Sequence, residues 1–295
     1  MSAKDLVLGG RNGLLGQAIC HSLRAAGRTP LALGGADIDL AAPDARERLA
    51  ALIERENPEY VYNTVAYTNV ERAEDEPEAA RLLNRSVPAM LGRLAKERSF
   101  GLVHFSTDFV FDGRKNSPYT TEDAPNPLSV YGKTKREGEE ALLALGLSNC
   151  LIVRTAWLFG PGKRNFVRAI LDRCAEQKSV NVVHDQYGSP TYTVDLAQYT
   201  LKLVEAGASG LFHVVDSGTA SWCELASEAV RLAQASCAVH AVPSEAYPQK
   251  APRPAFSVLD TTEFTRVTGI IPRPWIQALQ EYLFREVDLN GDQAG

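Results

Sequence analysis

Leu6-Val7-Leu8-Gly9-Gly10-Arg11-Asn12-Gly13-Leu14-Leu15-Gly16 is the stretch whose reading decides the fold. Three apolar residues make a short buried strand, and a helix-forming run starts at Leu14. Between them Gly10 to Gly16 spells GxxGxxG. Glycines at that spacing let the backbone turn tightly, approach a pyrophosphate and pack the helix onto the strand. The helix start then offers free N–H groups and a partial positive charge to an anion. Gly10, Arg11, Asn12, Gly13, Leu14, Leu15 and Gly16 are therefore candidate dinucleotide contacts. A bare glycine-rich turn is the alternative; the strand before it and the helix after it favour the ligand.

Outward from this loop, strand and helix signals alternate. Helices are expected at 14–26, 43–56, 77–98 and 131–144, and strands at 30–33, 60–62, 101–106 and 150–154. The strand runs are short and apolar throughout, as in a parallel sheet covered on both faces. The fold class is thus α/β, a Rossmann-type doubly wound parallel sheet whose ligands lie at the C-terminal edge. Beyond Thr155 the loops lengthen, with Gly160-Pro161-Gly162, Gly188-Ser189-Pro190 and the segment Pro243 to Pro254. Helices are still expected at 165–177, 193–206, 223–234 and 275–286, and the run Gly210–Val215 can rejoin the sheet. The expected division is a dinucleotide-binding domain over 1–155, with returning segments at about 190–216, and a smaller, interleaved substrate-binding lobe mainly over 156–295. The tail from Asn290 is expected to fray.

Composition bounds the class of protein. With 295 residues, 45% hydrophobic and 23% charged, a core needs no staple. A formal charge of −5 does not suit a nucleic-acid binder. No apolar run reaches a membrane span and no signal peptide is visible, so a cytoplasmic protein is expected. The five cysteines, Cys20, Cys150, Cys174, Cys223 and Cys237, are scattered and odd in number. They are read as reduced thiols, and no metal ligands are assigned. His104 lies inside an apolar strand and is read as a packed core residue.

Tyr131-Gly132-Lys133-Thr134-Lys135 carries YxxxK. Four residues are about one helical turn, so Tyr131 and Lys135 share a face. A lysine ammonium beside a phenol favours the phenolate and moves its pKa towards neutrality, and it can also hold a nicotinamide ribose. A surface pair is the commoner meaning of a bare YxxxK, but this one opens the helix after the fourth strand. Ser106-Thr107-Asp108 ends that strand, where a hydroxyl can hydrogen-bond a carbonyl oxygen that gains charge during hydride transfer. Thr107, Tyr131 and Lys135 are the candidate catalytic residues. The second strand ends in Leu33-Gly34-Gly35, with no acid before Asp37 and Asp39. Arg11 can meet a 2′-phosphate, so NADPH is expected, with NADH the alternative. A solvated loop cation is the plainer reading of Arg11.

Across Leu8–Gly16, Asn63–Glu74, Ser106–Gly113, Tyr131–Glu137, Arg154–Gly160, Asp185–Tyr192, Gly210–Trp222 and Arg253–Asp260 the chain resembles the dTDP-4-dehydrorhamnose reductase family of extended short-chain dehydrogenases. The glycine loop and YxxxK mark the superfamily; STDFVFDG, DQYGSPTY and RPAFSVLD are more specific. The resemblance implies a nucleotide-sugar substrate, with Tyr131 giving a proton to the sugar C4 oxygen, assisted by Thr107 and Lys135. It implies that Asp39 and Leu40 lie near the adenosine end of the coenzyme, which Ala66, Tyr67, Thr68, Tyr131 and Lys135 also line. Thr107, Asp108, Trp157, Gln186, Ser189, Thr191 and Arg253 become candidate substrate contacts, Arg253 for the diphosphate. A homodimer is a possible assembly, since metal-linked dimers occur in the family. Two departures bear on substrate fit: Glu71 stands where the family often has Asp, and His184 where it often has an acid. Other readings are a reductase of another nucleotide-linked 4-keto sugar, a non-catalytic regulatory subunit on the same fold, such as the beta subunit of methionine adenosyltransferase, and an epimerase or dehydratase. A regulatory subunit has no need of phenol, ammonium and hydroxyl in register. A dehydratase wants a second carboxylate where Phe109 follows Asp108.

Overall fold

The computed structural model describes residues 4–247 and 249–291. Six strands form one parallel sheet: β1 (Lys4–Leu8), β2 (Thr29–Leu33), β3 (Tyr60–Asn63), β4 (Gly101–Thr107), β5 (Cys150–Thr155) and, much later in the chain, Gly210–His213. Their order is Gly210–His213, β5, β4, β3, β1, β2. The order reverses between β1 and β3, which opens a crevice at the C-terminal ends of those strands. All of β4 and β5 is buried, which explains their apolar runs Leu102-Val103 and Leu151-Ile152-Val153; His104, Ser106, Thr107, Arg154 and Thr155 are buried with them.

Helices cover both faces. On one lies α1 (Leu14–Ala25), whose Leu15, Ala18, Ile19 and Leu23 share a face and pack with Leu196, Leu203, Phe212 and Phe264. On the other lie α2 (Ala45–Glu56), then, after two short helices α3 (Val70–Ala73) and α4 (Pro77–Arg81), α5 (Val87–Arg98) and α6 (Val130–Leu143). Leu49, Ile53, Leu91, Leu94 and Leu142 fill that core. The single helix expected over 77–98 contains a π-helical turn at Leu82–Ser86. Pro88 has no N–H to give the Asn84 carbonyl, so the regular bond is lost there.

The second half adds short strands β6 (Leu158–Phe159), β7 (Ser179–Val183), β8 (Tyr187–Gly188) and β9 (Thr191–Tyr192). The sixth sheet strand is β10, followed by β11 (Ala220–Ser221) and β12 (Ala238–Val242), which pairs in parallel with β7. Helices α7 (Phe166–Glu176), α8 (Thr193–Glu205), α9 (Trp222–Leu232), α10 (Thr262–Thr268) and α11 (Trp275–Gly291) complete the chain. Helix α8 packs on α1, and β10 joins β5, as the sequence suggested for Gly210–Val215. The tail read as frayed from Asn290 is helical to Gly291; the rest lies outside the described residues.

The reading of all five cysteines as free thiols is corrected. Cys174, on α7, and Cys237, before β12, form a disulfide with Cα atoms 5.3 Å apart. Pairing of β7 with β12 and packing of α7 on α9 bring them together across 63 residues of sequence. Spacing along the chain carries no sign of such a contact. Cys20 and Cys150 are free and buried, and Cys223 is free and half-buried.

Candidate active site

The glycine loop has the form a pyrophosphate needs. Gly13 caps α1 without a side-chain hydrogen bond, and the first turn holds no acid. The helix start is left open to an anion. A Cβ at Gly13 would lie 2.5 Å from the Gly9 carbonyl oxygen, so the tight turn depends on glycine. Arg11 is exposed and pairs with Asp37 at 2.9 Å, and Asp37 also accepts from the Gly34 N–H at 2.7 Å. The β2 end therefore does carry an acid, delivered by a turn rather than by the strand itself. Asp39 is exposed, while the Leu40 side chain is buried in the core.

Across the crevice, Ala66, Tyr67 and Thr68 follow β3. Their loop is pinned by Asn84 from the π-helical turn. Asn84 Oδ1 accepts from Tyr67 N at 2.8 Å, and Nδ2 donates to Thr134 Oγ1 at 3.0 Å. Asn84 is fully buried and ties the loop after β3 to α6, the helix of YxxxK. Sequence reading missed it; the proline four residues on was the available signal.

Helix α6 is aimed by its first turn. Ser129 caps it, accepting from Gly132 N at 3.2 Å, and Glu74 accepts from Val130 N at 2.8 Å. Gly132 lets the helix press on the Phe109 carbonyl, where a Cβ would collide. Tyr131 thus comes edge-on to Phe109, with ring centroids 5.6 Å apart, beside the end of β4. Burial pushes its phenol up to about 12, with the Thr107 side chain acting in the opposite sense. The expectation that Lys135 lowers this pKa is corrected, because the Lys135 ammonium donates to the Phe105 carbonyl and burial dominates. A phenol that keeps its proton at neutral pH is a donor, as reduction of a carbonyl requires. Burial brings Lys135 down to about 8, with Glu139 acting in the opposite sense.

Thr107 and Asp108 are both buried. Thr107 Oγ1 donates to Asp108 Oδ1 at 3.0 Å, and Ser257 Oγ donates to Asp108 Oδ2 at 2.6 Å. Ser257 was not singled out in the sequence; it lies inside RPAFSVLD but is one serine among many. Burial raises Asp108 to about 6 in spite of these bonds. A carboxyl raised in the folded state stabilises the fold fully below its ordinary 3.8 and loses that contribution as pH rises to about 6. The loss is about 3 kcal/mol. We expect Asp108→Asn to abolish it. In paired melting curves the stability difference, variant minus wild type, should grow through that window, while turnover falls about tenfold or more. A constant difference would show that Asp108 does not titrate there.

The remaining candidates divide. Trp157, at φ 48°, stacks on Trp222 with centroids 3.5 Å apart, and Gly188 makes room for the indole. Gln186 donates to Ser244 Oγ at 3.1 Å. Ser189 and Thr191 are fully buried and hold their own loop: Thr191 Oγ1 donates to Ser189 O, and Ser189 Oγ accepts from Leu259 N. Arg253 pairs with Glu71 at 3.0 Å, and its buried Nε has no partner among the described residues. Glu71 also accepts from the Lys250 N–H, so the unusual glutamate fastens the loop that carries Arg253. Among the described residues no cluster of His, Cys, Asp or Glu could hold a metal. None of their helices is long and apolar enough to cross a membrane.

A doubly wound sheet with an open helix start at its switch point, and with phenol, hydroxyl and ammonium at the end of β4, defines a nicotinamide-dependent oxidoreductase of the extended short-chain dehydrogenase type. The RmlD substrate binding domain model matches residues 4–287, and the chain belongs to that family. It is 39% identical to a probable dTDP-4,6-dihydroxy-2-methyloxan-3-one 4-ketoreductase of Streptomyces antibioticus, covering 92% of each chain. To the dTDP-4-dehydrorhamnose reductase of Mycolicibacterium smegmatis it is 36% identical, over 98% of this chain and 88% of that one. A crystal structure of dTDP-4-dehydrorhamnose reductase from Bacillus anthracis in complex with NADP superposes with a TM-score of 0.91 at 28% identity, over 97% of this chain and all of that one.

Proposed function

We propose that this chain uses NADPH to reduce the 4-keto group of dTDP-4-dehydro-6-deoxy-L-mannose, giving dTDP-L-rhamnose. The observation that carries the reading is the convergence of Thr107, Asp108, Tyr131 and Lys135 at the C-terminal end of β4. When bound, the reduced nicotinamide supplies the hydride for C4. Tyr131 gives its proton to the C4 oxygen, so the carbonyl becomes a secondary alcohol. Thr107 donates a hydrogen bond to the same oxygen and favours the charge that develops there. Lys135 holds the ribose side of the coenzyme, and the α1 start with Gly13 and Leu14 holds the pyrophosphate. Arg253 faces the substrate diphosphate with its unshared Nε–H. Residues 1–155, with 190–216, serve the coenzyme, and 156–295 mainly the sugar nucleotide. We place the enzyme in the cytoplasm, as a homodimer that a sizing measurement would confirm or refute.

Reduced nicotinamide should be consumed when dTDP-4-dehydrorhamnose is added, with dTDP-rhamnose as product. No consumption with either coenzyme would end the reading. A second reading is reduction of a different dTDP-4-keto sugar, favoured by the 39% identity to the Streptomyces antibioticus protein. Product analysis with alternative sugars separates the two. Arg11 should contribute to NADPH preference: Arg11→Ala is expected to weaken NADPH about tenfold and leave NADH nearly unchanged. Equal loss for both coenzymes would assign Arg11 to the fold, with Asp37.

A further inference from the structure

The YxxxK motif extends one more turn than sequence reading took it. Glu139 follows Lys135 by four residues on α6, and both side chains are buried, at 0% and 2% exposure. The Glu139 carboxylate is gripped from three sides. Arg154, fully buried on β5, donates through Nε at 2.8 Å to Oε1 and through Nη2 at 2.7 Å to Oε2. Ser106, at the end of β4, donates to Oε1 at 2.5 Å, and Arg136 reaches Oε2 at 3.3 Å. Arg154 Nη1 reaches His213 Nε2 at 3.4 Å, and the opposite ring nitrogen meets the Tyr119 carbonyl at 3.0 Å. With Nδ1–H donating to that carbonyl, Nε2 is free to accept, so His213 is neutral and adds no charge.

A buried ion pair is a costly way to hold two elements together, since apolar side chains of similar volume do so as well or better. This pair stands one turn from the lysine that the site uses. We propose that Glu139 is a positioning residue that keeps Lys135 as an ammonium, and that Arg154 and Ser106 fix its carboxylate for this purpose. The groups facing Lys135 are Glu139 and Tyr131 from α6, and the Phe105 carbonyl and His104 from β4; Arg154 acts from β5 through Glu139. His104 is buried and neutral, its pKa held down by burial and by the ammonium. Glu139 is therefore the anion that offsets the desolvation of Lys135.

The inference rests on the reductase reading, but its test does not require turnover. In apo protein, isotope-labelled lysine side chains are titrated by NMR, with Lys135 assigned through Lys135→Met. Two variants are compared: Glu139→Gln, which leaves Arg154 unpaired, and the charge-free pair Glu139→Leu with Arg154→Met, which removes both charges and keeps the volume. In folded Glu139→Gln the Lys135 midpoint should fall by about one to two pH units, the size expected of two charges one helical turn apart in a buried site, and in the charge-free pair by less, because the Arg154 cation goes too. The alkaline limb of the pH–rate profile should move down with it, while Glu139→Asp, which keeps the charge, should leave both near wild type. An unchanged midpoint in a folded variant overturns the proposal, whatever the wild type reduces. So does a charge-free pair that cannot fold, because the carboxylate would then belong to the fold and not to Lys135. Failure of the wild type on every dTDP-4-keto sugar, with the midpoint shifting as expected, would overturn only the substrate reading.

Discussion

Tyr131→Phe should lower turnover by about 10²- to 10⁴-fold while coenzyme affinity stays within a few-fold of wild type. The substitution removes one oxygen and little else. The ring remains against Phe109, and the Ser129 cap and the Gly132 contact that aim the helix involve no part of the phenol. What disappears is the O–H that, in the proposed reaction, gives its proton to the substrate oxygen. Burial raises the phenol to about 12, so in the neutral range the proton is in place before the reaction begins. Thr107 can still offer a hydrogen bond in the variant, but its neighbour Asp108 competes for that proton. Residual activity through Thr107 or water would therefore be slow. Single-turnover kinetics with pre-bound coenzyme, beside a direct coenzyme titration, separates chemistry from binding. Near-normal turnover would mean that the proton comes from another group.

The second large effect is expected from Gly16→Ala. A Cβ there would strike the Gly9 carbonyl oxygen and stand 2.6 Å from the Gly9 carbonyl carbon and 2.8 Å from the Gly10 Cα. All three are backbone atoms, so no side chain can swing away to make room. Helix α1 must move off the loop, which misdirects the N–H groups that face a pyrophosphate. We expect coenzyme affinity to fall by about a hundredfold or more, with about 1–3 kcal/mol of stability lost to overpacking. Gly35→Ala is the control: nothing lies within 4 Å of its Cβ position, and both affinity and stability should be unchanged. Unaltered coenzyme binding by Gly16→Ala would place the dinucleotide elsewhere.

Much of the scaffold was legible because its signals are local. The GxxGxxG loop, the apolar runs of β1, β4 and β5, and the four-residue spacing of Tyr131 and Lys135 each depend on neighbours within a turn or a strand. Positions at the C-terminal end of β4 followed from sheet direction alone. The alternation of strand and helix likewise placed the crevice beside the glycine loop. The reading failed where a side chain finds its partner across the fold. Asn84 reaches Thr134 fifty residues on only because a π-helical turn aims it there, and Ser257 meets Asp108 149 residues away.

By itself the sequence determined a doubly wound sheet, a glycine loop opening α1 and a phenol–amine pair on one helical face, because periodicity and glycine geometry act over a few residues. Only the tertiary structure decided that Ser257 locks Asp108, that Arg154 grips Glu139, and that Cys174 meets Cys237. Those partners are set by which strands and helices lie side by side. A serine, arginine or cysteine carries no mark in the chain of the distant group that burial will force it to satisfy.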